Sequence, residues 1–305
     1  MVRFIGRRLL VSLPVLFLLS LLVFLLFKLI PGDYLSEMEL NPSVSKQQID
    51  DLRQELGLDR SLPEQYLLWM GNLATGKLGY SFSQRRPAAD LIWERLRGTA
   101  QLALGAFLLI GLVAIPLGVI AALRVGSWID KTILWGSLIG LSLPTVLAAV
   151  AFLYLAYWTR WVPIGGSDSF LHMVFPTLTL ALPAASFFVR TTRLELIDAL
   201  NQPYITAAAA KGLPQYRIAW HAFRNAANPL ISLGGLTVGG LLSGAVIVEK
   251  VFSWPGLGSL TVDSILNRDL FVAIDCVLIS ALMVILANLA ADLLMAINDP
   301  RVRQQ

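Results

Sequence analysis

Apolar residues fall in long blocks along this chain, with polar residues between them. The first block runs from Leu9 to about Ile30, behind Arg3, Arg7 and Arg8. As a helix rising 1.5 Å per residue, its ~22 residues reach about 33 Å, enough to cross a bilayer core. A cleavable leader has a shorter apolar region and a small-residue cleavage site, so the pattern predicts a retained membrane helix. Lys28 stands near its far end, where a long cationic side chain reaches the headgroups. Pro31-Gly32-Asp33 stops it. Five further blocks, at about 99–123, 132–158, 171–190, 227–250 and 272–297, bring the expected spans to six.

Residues 33–97 break this pattern, with mixed charges and local helix signals. Ser45-Lys46-Gln47-Gln48 reads as a capping box, with Gly57 as the stop and Ile49, Leu52 and Leu56 on one face. Ser61-Leu62-Pro63-Glu64 reads as a second cap, with proline early in the helix, where its missing N–H costs little. The expectation is a small, water-facing insert of short helices. The chain then divides into a tail and first span (1–32), the insert (33–97) and a five-helix core (98–305).

Composition agrees with a membrane protein. Hydrophobic residues make up 56% and charged residues only 14%, and the mean hydropathy is +0.68. One water-facing core cannot hide that much apolar surface. A net charge of +4 is then no sign of nucleic acid, because Lys and Arg gather on the cytoplasmic side of membrane proteins. Arg3, Arg7, Arg8, Arg124, Lys131, Arg190, Arg193, Lys211, Arg217, Arg224, Arg301 and Arg303 fall on one side of six spans. The short loops opposite hold only Arg160, Lys250 and Arg268. Both termini are therefore expected in the cytoplasm and the insert outside.

The single cysteine, Cys276, excludes an intramolecular disulfide. His172 and His221 lie far apart, and no nucleophile–base–acid or metal-ligand set is legible. Catalytic, metal and cofactor residues are not expected in this chain. One stretch, GNLATGKLGYS, nearly spells a phosphate-binding loop, with Gly71, Gly76 and Lys77 at the right spacing. That loop needs Ser or Thr after the lysine, and a strand before the first glycine. Here Leu78 follows the lysine and Tyr66–Leu73 reads as helix, so the expectation is a glycine-bearing turn.

One loop on the arginine-rich side, about 191–226, is long and includes QPYITAAAAKGLPQYRIAWHAFRN. Pro203 suits the first turn of a short helix, and Ala207 to Ala210 are strong helix formers. Gly212 follows as a left-handed stop requires, and Pro214 begins a second helix. On that helix Tyr216, Ala219, Trp220, Phe223 and Ala227 share a face. Arg217, His221, Arg224, Asn225 and Asn228 lie towards the other. The pair reads either as an amphipathic hairpin in the membrane interface or as a small-residue surface that packs into a protein groove. Alanine is too small to anchor in lipid, which favours docking.

These residues resemble the EAA loop of ABC importer permeases, in the dipeptide/oligopeptide/nickel permease family. The usual pattern is Glu-Ala-Ala, three residues, Gly; here it is Thr206-Ala207-Ala208, then Gly212, without the glutamate. The peptide/nickel variant has an early tyrosine and a late Ala-Lys-Gly-Leu, as in Tyr204 and Ala210-Lys211-Gly212-Leu213. Its arginines are replaced by Thr206 and Ala209. Arg7-Arg8-Leu9-Leu10, Leu29-Ile30-Pro31-Gly32-Asp33, Leu56-Gly57-Leu58-Asp59, Gln65-Tyr66, Leu78-Gly79-Tyr80-Ser81, Val251 to Gly258 and Asp299-Pro300-Arg301 resemble the family in order, over nearly the whole chain.

The resemblance implies an all-α, six-span type I ABC importer permease with an extracytoplasmic helical insert after the first span. It also implies a sister permease, two ATPase subunits carrying ATP and Mg, and an extracytoplasmic solute-binding protein. Tyr204, Thr206, Ala207, Ala208, Lys211, Gly212 and Leu213 would then meet an ATPase. Small peptides are the leading cargo expectation, with nickel chelates, glutathione and oligosaccharides as alternatives. A stand-alone secondary transporter would instead carry internal repeats and ion-coupling residues within its spans.

Three further features have two readings each. Phe252, Trp254, Pro255 and Gly256 read as a turn with tryptophan anchored at the membrane interface, or as an outer gate or binding-protein contact. Gly235 and Gly239, and Gly240 and Gly244, are four apart, which suits close helix packing or a substrate path. Asp292 and Asn288 share a face of the last span and read as an inner-interface pair or a polar contact within the protein.

Overall fold

The computed structural model describes residues 2–29, 45–55 and 57–298. The stop at Pro31-Gly32-Asp33, Leu56, and the tail with Asp299-Pro300-Arg301 and Arg303 lie outside the described residues. The chain folds into α1 (Val2–Lys28), α2 (Lys46–Glu55), α3 (Leu62–Ala74), a hairpin of β1 (Tyr80–Ser81) and β2 (Arg86–Pro87), α4 (Ala88–Leu109), α5 (Ile115–Leu123), α6 (Trp128–Ser142), α7 (Thr145–Thr159), α8 (Phe170–Leu200), α9 (Pro203–Ala210), α10 (Gln215–Val251), α11 (Leu257–Leu266) and α12 (Leu270–Asn298). Two packed units result. One holds residues 9–99 and 255–282; the other holds 100–254 with the segments before residue 9 and after residue 282.

Among the described residues five helices are long and apolar enough to cross a membrane. The sixth expected span, 132–158, is a broken pair: α6 and α7 meet at 103°. Proline explains the break. Leu143 precedes Pro144 and takes the extended ψ of 115° that a pre-proline residue prefers. Elsewhere proline is absorbed. Pro116 lacks an N–H and crowds the carbonyl four residues back, and the chain just before it, Ile110–Ala114, widens into a π-helical turn. The span therefore continues from Ala88 to Leu123. The boundary expected at 97/98 falls inside α4, because its polar first turns are already helical.

In the unit of residues 9–99 and 255–282, the sequence's caps form as local bonding dictates. The Ser45 N–H donates to Gln48 Oε1 and the Gln48 N–H donates to Ser45 Oγ, each at 3.2 Å. The Ser61 N–H donates to Glu64 Oε2 at 3.1 Å, and Ser61 Oγ donates to the same oxygen at 2.9 Å. The Ser61 hydroxyl and N–H together hold the Glu64 carboxyl below its ordinary range. Far from being only water-facing, the insert buries Tyr66 and Trp69 with Phe24, Ile274 and Leu278. The Phe24 and Trp69 rings stack at 5.8 Å. Buried Asp269 accepts from Ser81 Oγ at 2.5 Å and Ser83 Oγ at 3.0 Å, which ties the β hairpin to the loop before α12.

The other unit is built around α8. Small residues let its neighbours close in: a Cβ on Gly118 of α5 would stand 2.7 Å from the Val189 carbonyl oxygen. Leu102, Phe175, Leu180, Leu241, Val248, Phe252 and Trp254 form its largest core. Arg193 of α8 grips Asp130 of α6 in a two-pronged pair, with Nε to Oδ1 at 2.6 Å and a terminal nitrogen to Oδ2 at 2.8 Å. The Gly126 N–H adds a third bond to Asp130 at 2.9 Å.

Candidate functional site

Helix α8 does not stop near residue 190 but runs to Leu200, so the long loop shrinks to α9 and its two flanks. Pro203 opens α9. Its end closes with two bonds: the Leu213 N–H donates to the Ala208 carbonyl at 3.3 Å, and the Gly212 N–H to the Ala209 carbonyl at 2.9 Å. That closure needs a left-handed residue, and Gly212 supplies it at φ +79°. A Cβ there would meet nothing within 4 Å.

The surface of α9 is nearly all open. Tyr204, Thr206, Ala207, Lys211 and Gly212 are exposed; Ala208 and Leu213 are half-buried. One residue pins the helix. Ile205, 7% exposed, packs with Leu196, Ala199, Ala222 and Ala226. Sequence reading missed it, although Ile205 is the one aliphatic residue larger than alanine in PYITAAAA.

One expectation about the second helix is corrected. It does not end before the fifth span: α10 runs from Gln215 through Pro229 to Val251. The structure also shows that its aromatic face is not the face it buries most deeply. Tyr216 and Trp220 are 69% and 64% exposed, whereas Ala222, Ala226 and Leu230 are buried. The reason is geometric: spacing of 3.6 residues locates faces, but the neighbouring helix decides which face is covered. Trp220 stacks on Phe223 at 6.1 Å. Further along, Asn298 Nδ2 donates to Asn228 Oδ1 at 2.7 Å. Asp292 pairs with Arg8 at 3.2 Å, which makes it a contact within the protein.

The interface-anchor reading of Trp254 is corrected as well. Phe252 and Trp254 are 3% and 4% exposed, packed in the core that includes Phe175 and Leu180. Ser253, at φ +52°, makes the left-handed step. Pro255 is half-buried, and Gly256, in extended conformation, starts α11.

The glycines of α10 divide. A Cβ on Gly235 would meet Ala291 at 2.8 Å and Asn288 at 2.9 Å, and one on Gly244 would meet Leu180 at 3.1 Å. Gly239 faces Val284 at an ordinary 3.5 Å, and Gly240 faces open space. Beside them lies an apolar cavity of about 610 Å³, lined by Leu104, Phe107, Ile110, Phe188, Phe223, Leu230, Gly234, Gly235, Val238, Met283, Ala287 and Leu294 among others.

GNLATGK ends α3. The Gly76 N–H donates to the Leu73 carbonyl at 3.0 Å and the Lys77 N–H to the Asn72 carbonyl at 2.8 Å, so the glycine closes a helix instead of opening one towards a phosphate. His172 Nδ1 bonds Ser169, and His221 is exposed on α10. Among the described residues no three His, Cys, Asp or Glu are grouped to hold a metal. The arrangement offers surfaces and a groove.

Residues 114–304 match the family described as binding-protein-dependent transport system inner membrane component. Residues 1–103 match the N-terminal part of such membrane components. The oligopeptide transport system permease protein AppB of Bacillus subtilis is 36% identical over 315 residues, covering 99% of both chains. The glutathione transport system permease protein GsiC of Escherichia coli is 36% identical over 305 residues, again covering 99% of both. In fold, the chain is similar to a subunit of the MetNI methionine ABC transporter, solved in inward-facing conformations. That similarity has a TM-score of 0.58 at 18% identity, over 68% of this chain and 96% of that one.

Proposed function

This chain belongs to the family of inner membrane components of binding-protein-dependent transport systems, and on that premise we propose that it is the peptide-importing permease of an ATP-driven complex. As a family member it is a multi-pass inner membrane permease with the type I importer fold. Its relatives' names speak of oligopeptide and glutathione transport, so short peptides are the cargo class we assign.

In this reading the chain pairs with a sister permease, and two separate ATPase subunits carry ATP and Mg. An extracytoplasmic binding protein delivers cargo. Both termini face the cytoplasm, as the asymmetry of Lys and Arg supports. ATP-driven closure of the ATPases draws the α9 turns together and opens the cavity outward; release returns it inward.

The observation that carries the reading is α9 itself. It is a short helix with a smooth alanine surface, pinned beneath by Ile205 and closed by an unobstructed glycine turn. Such a surface suits a groove on a partner better than lipid. The apolar cavity beside α10 supports a second role, as one wall of a path completed by the sister permease.

The test is a mild-detergent pull-down of the tagged chain, with its companions identified by mass spectrometry. Recovery of ATPase subunits and a second permease is expected, followed by peptide uptake once the binding protein is supplied. A chain that comes down alone after crosslinking would favour a self-contained transporter and sink the proposal.

A further inference from the structure

Away from α9 and the groove, one cavity has hydrogen-bond acceptors without donors. It lies within the unit of residues 9–99 and 255–282, between α3, the turn of residues 77–82 and the start of α12, and measures about 140 Å³. Asp275 lines it and is 2% exposed. Trp69 Nε1 donates to its Oδ1 at 2.9 Å; among the described residues Oδ2 meets no donor.

Gln65 lines the same cavity. Its Nε2 donates to the carbonyl oxygens of Leu58 at 3.1 Å and Arg60 at 2.8 Å, which fixes how the amide points. Among the described residues its buried Oε1 meets no donor. A buried acceptor without a donor loses the hydrogen bonds it had in water and gains none in return. Gln65 Oε1 and the second carboxyl oxygen of buried Asp275, on one cavity, favour an occupant that donates. The walls narrow its chemistry. Trp69, Tyr80 and Phe271 present aromatic surface, which favours a cation. Lys77, exposed at the same cavity, offers a charge for a carboxylate. The volume equals roughly four to five waters at about 30 Å³ each, room for a small molecule.

We propose that this cavity binds a primary ammonium group, with Asp275 and Gln65 accepting its hydrogen bonds beside the Trp69 ring. The group is carried by a small amine or a free amino acid, and in an amino acid Lys77 pairs with the carboxylate. The site does not rest on the import reading.

The test is saturation-transfer NMR on the purified full-length chain in nanodiscs, with ethylammonium, alanine and propionate as probes. Ethylammonium and alanine should bind and propionate should not. Asp275→Asn, which keeps the shape and removes the charge, should weaken ethylammonium about tenfold or more, since a lost charge-assisted bond is worth that much. Gln65→Leu should weaken it a few-fold. Lys77→Met should spare ethylammonium; a loss confined to alanine identifies the amino acid as ligand, and unchanged alanine identifies the plain amine. Thermal unfolding followed by tryptophan fluorescence checks each variant, and Gln65→Leu carries the test if Asp275→Asn fails to fold. No binding of either amine, binding untouched by the folded variants, or propionate binding as well as alanine overturns the proposal.

Discussion

The turn after α9 and the turn after α10 close with the same pair of backbone bonds. In the first, Leu213 reaches back to Ala208 and Gly212 to Ala209; in the second, Trp254 reaches back to Glu249 and Ser253 to Lys250. Each needs one left-handed residue, at φ +79° in Gly212 and +52° in Ser253. The surroundings are opposite. Among the described residues no atom comes within 4 Å of where a Cβ on Gly212 would stand, whereas Ser253 is flanked by two aromatic residues buried in the core. Local bonding makes a helix end; packing decides whether that end is a surface left open or a lock. Ser253 bears a strained conformation because Phe252 and Trp254 hold the chain on either side of it.

Four substitutions break or sharpen this contrast. Trp254→Ala should do most harm to folding, about 3–5 kcal/mol, because it empties a filled core site. A thermal midpoint in detergent that stays put would undo the idea of a lock. Ile205→Ala removes the pin under α9 and should cost about 2 kcal/mol. Hydrogen exchange would report it as faster amides over residues 203–210, with the rest of the chain little changed. Gly212→Asp should cost only about 1–2 kcal/mol of stability, the strain of a side chain in a left-handed position. Peptide uptake should nonetheless be lost, with protein abundance near normal. Normal uptake and normal recovery of ATPase subunits would dispose of the docking role. Ser253→Gly works in the other direction. It relieves about 1–2 kcal/mol of strain, partly offset by the unfolded-state freedom of glycine, about 0.5–1 kcal/mol. A net gain below ~1 kcal/mol in denaturant unfolding is the expected sign; a loss would mean that the serine side chain, not the backbone, matters there.

The same contrast runs through the glycines of α10. Gly235 and Gly240 look alike in sequence, yet one is filled by Ala291 and Asn288 while the other faces open space. A leucine at Gly235 would have to displace its neighbours, whereas at Gly240 it would disturb only what arrives from outside the chain.

Much of the local structure was legible in the residues alone. The apolar blocks declare membrane helices. The caps at Ser45 and Ser61, and the stops at Gly57 and Gly212, use partners within about five residues, so neighbouring letters suffice to read them. The short helix α9 was legible for the same reason, as alanines between a proline and a glycine. What tertiary structure alone decided involves distant partners. The Trp69–Asp275 bond joins residues 206 apart, and the Ser81–Asp269 bond joins residues 188 apart. Only packing buried Trp254, exposed Trp220 and made Ile205 the pin. Spans give little help with such choices, because lipid is as apolar as a protein core. A soluble helix shows its inner face by contrast with polar residues outside; a membrane helix is apolar all round, and its neighbours alone select the face that packs.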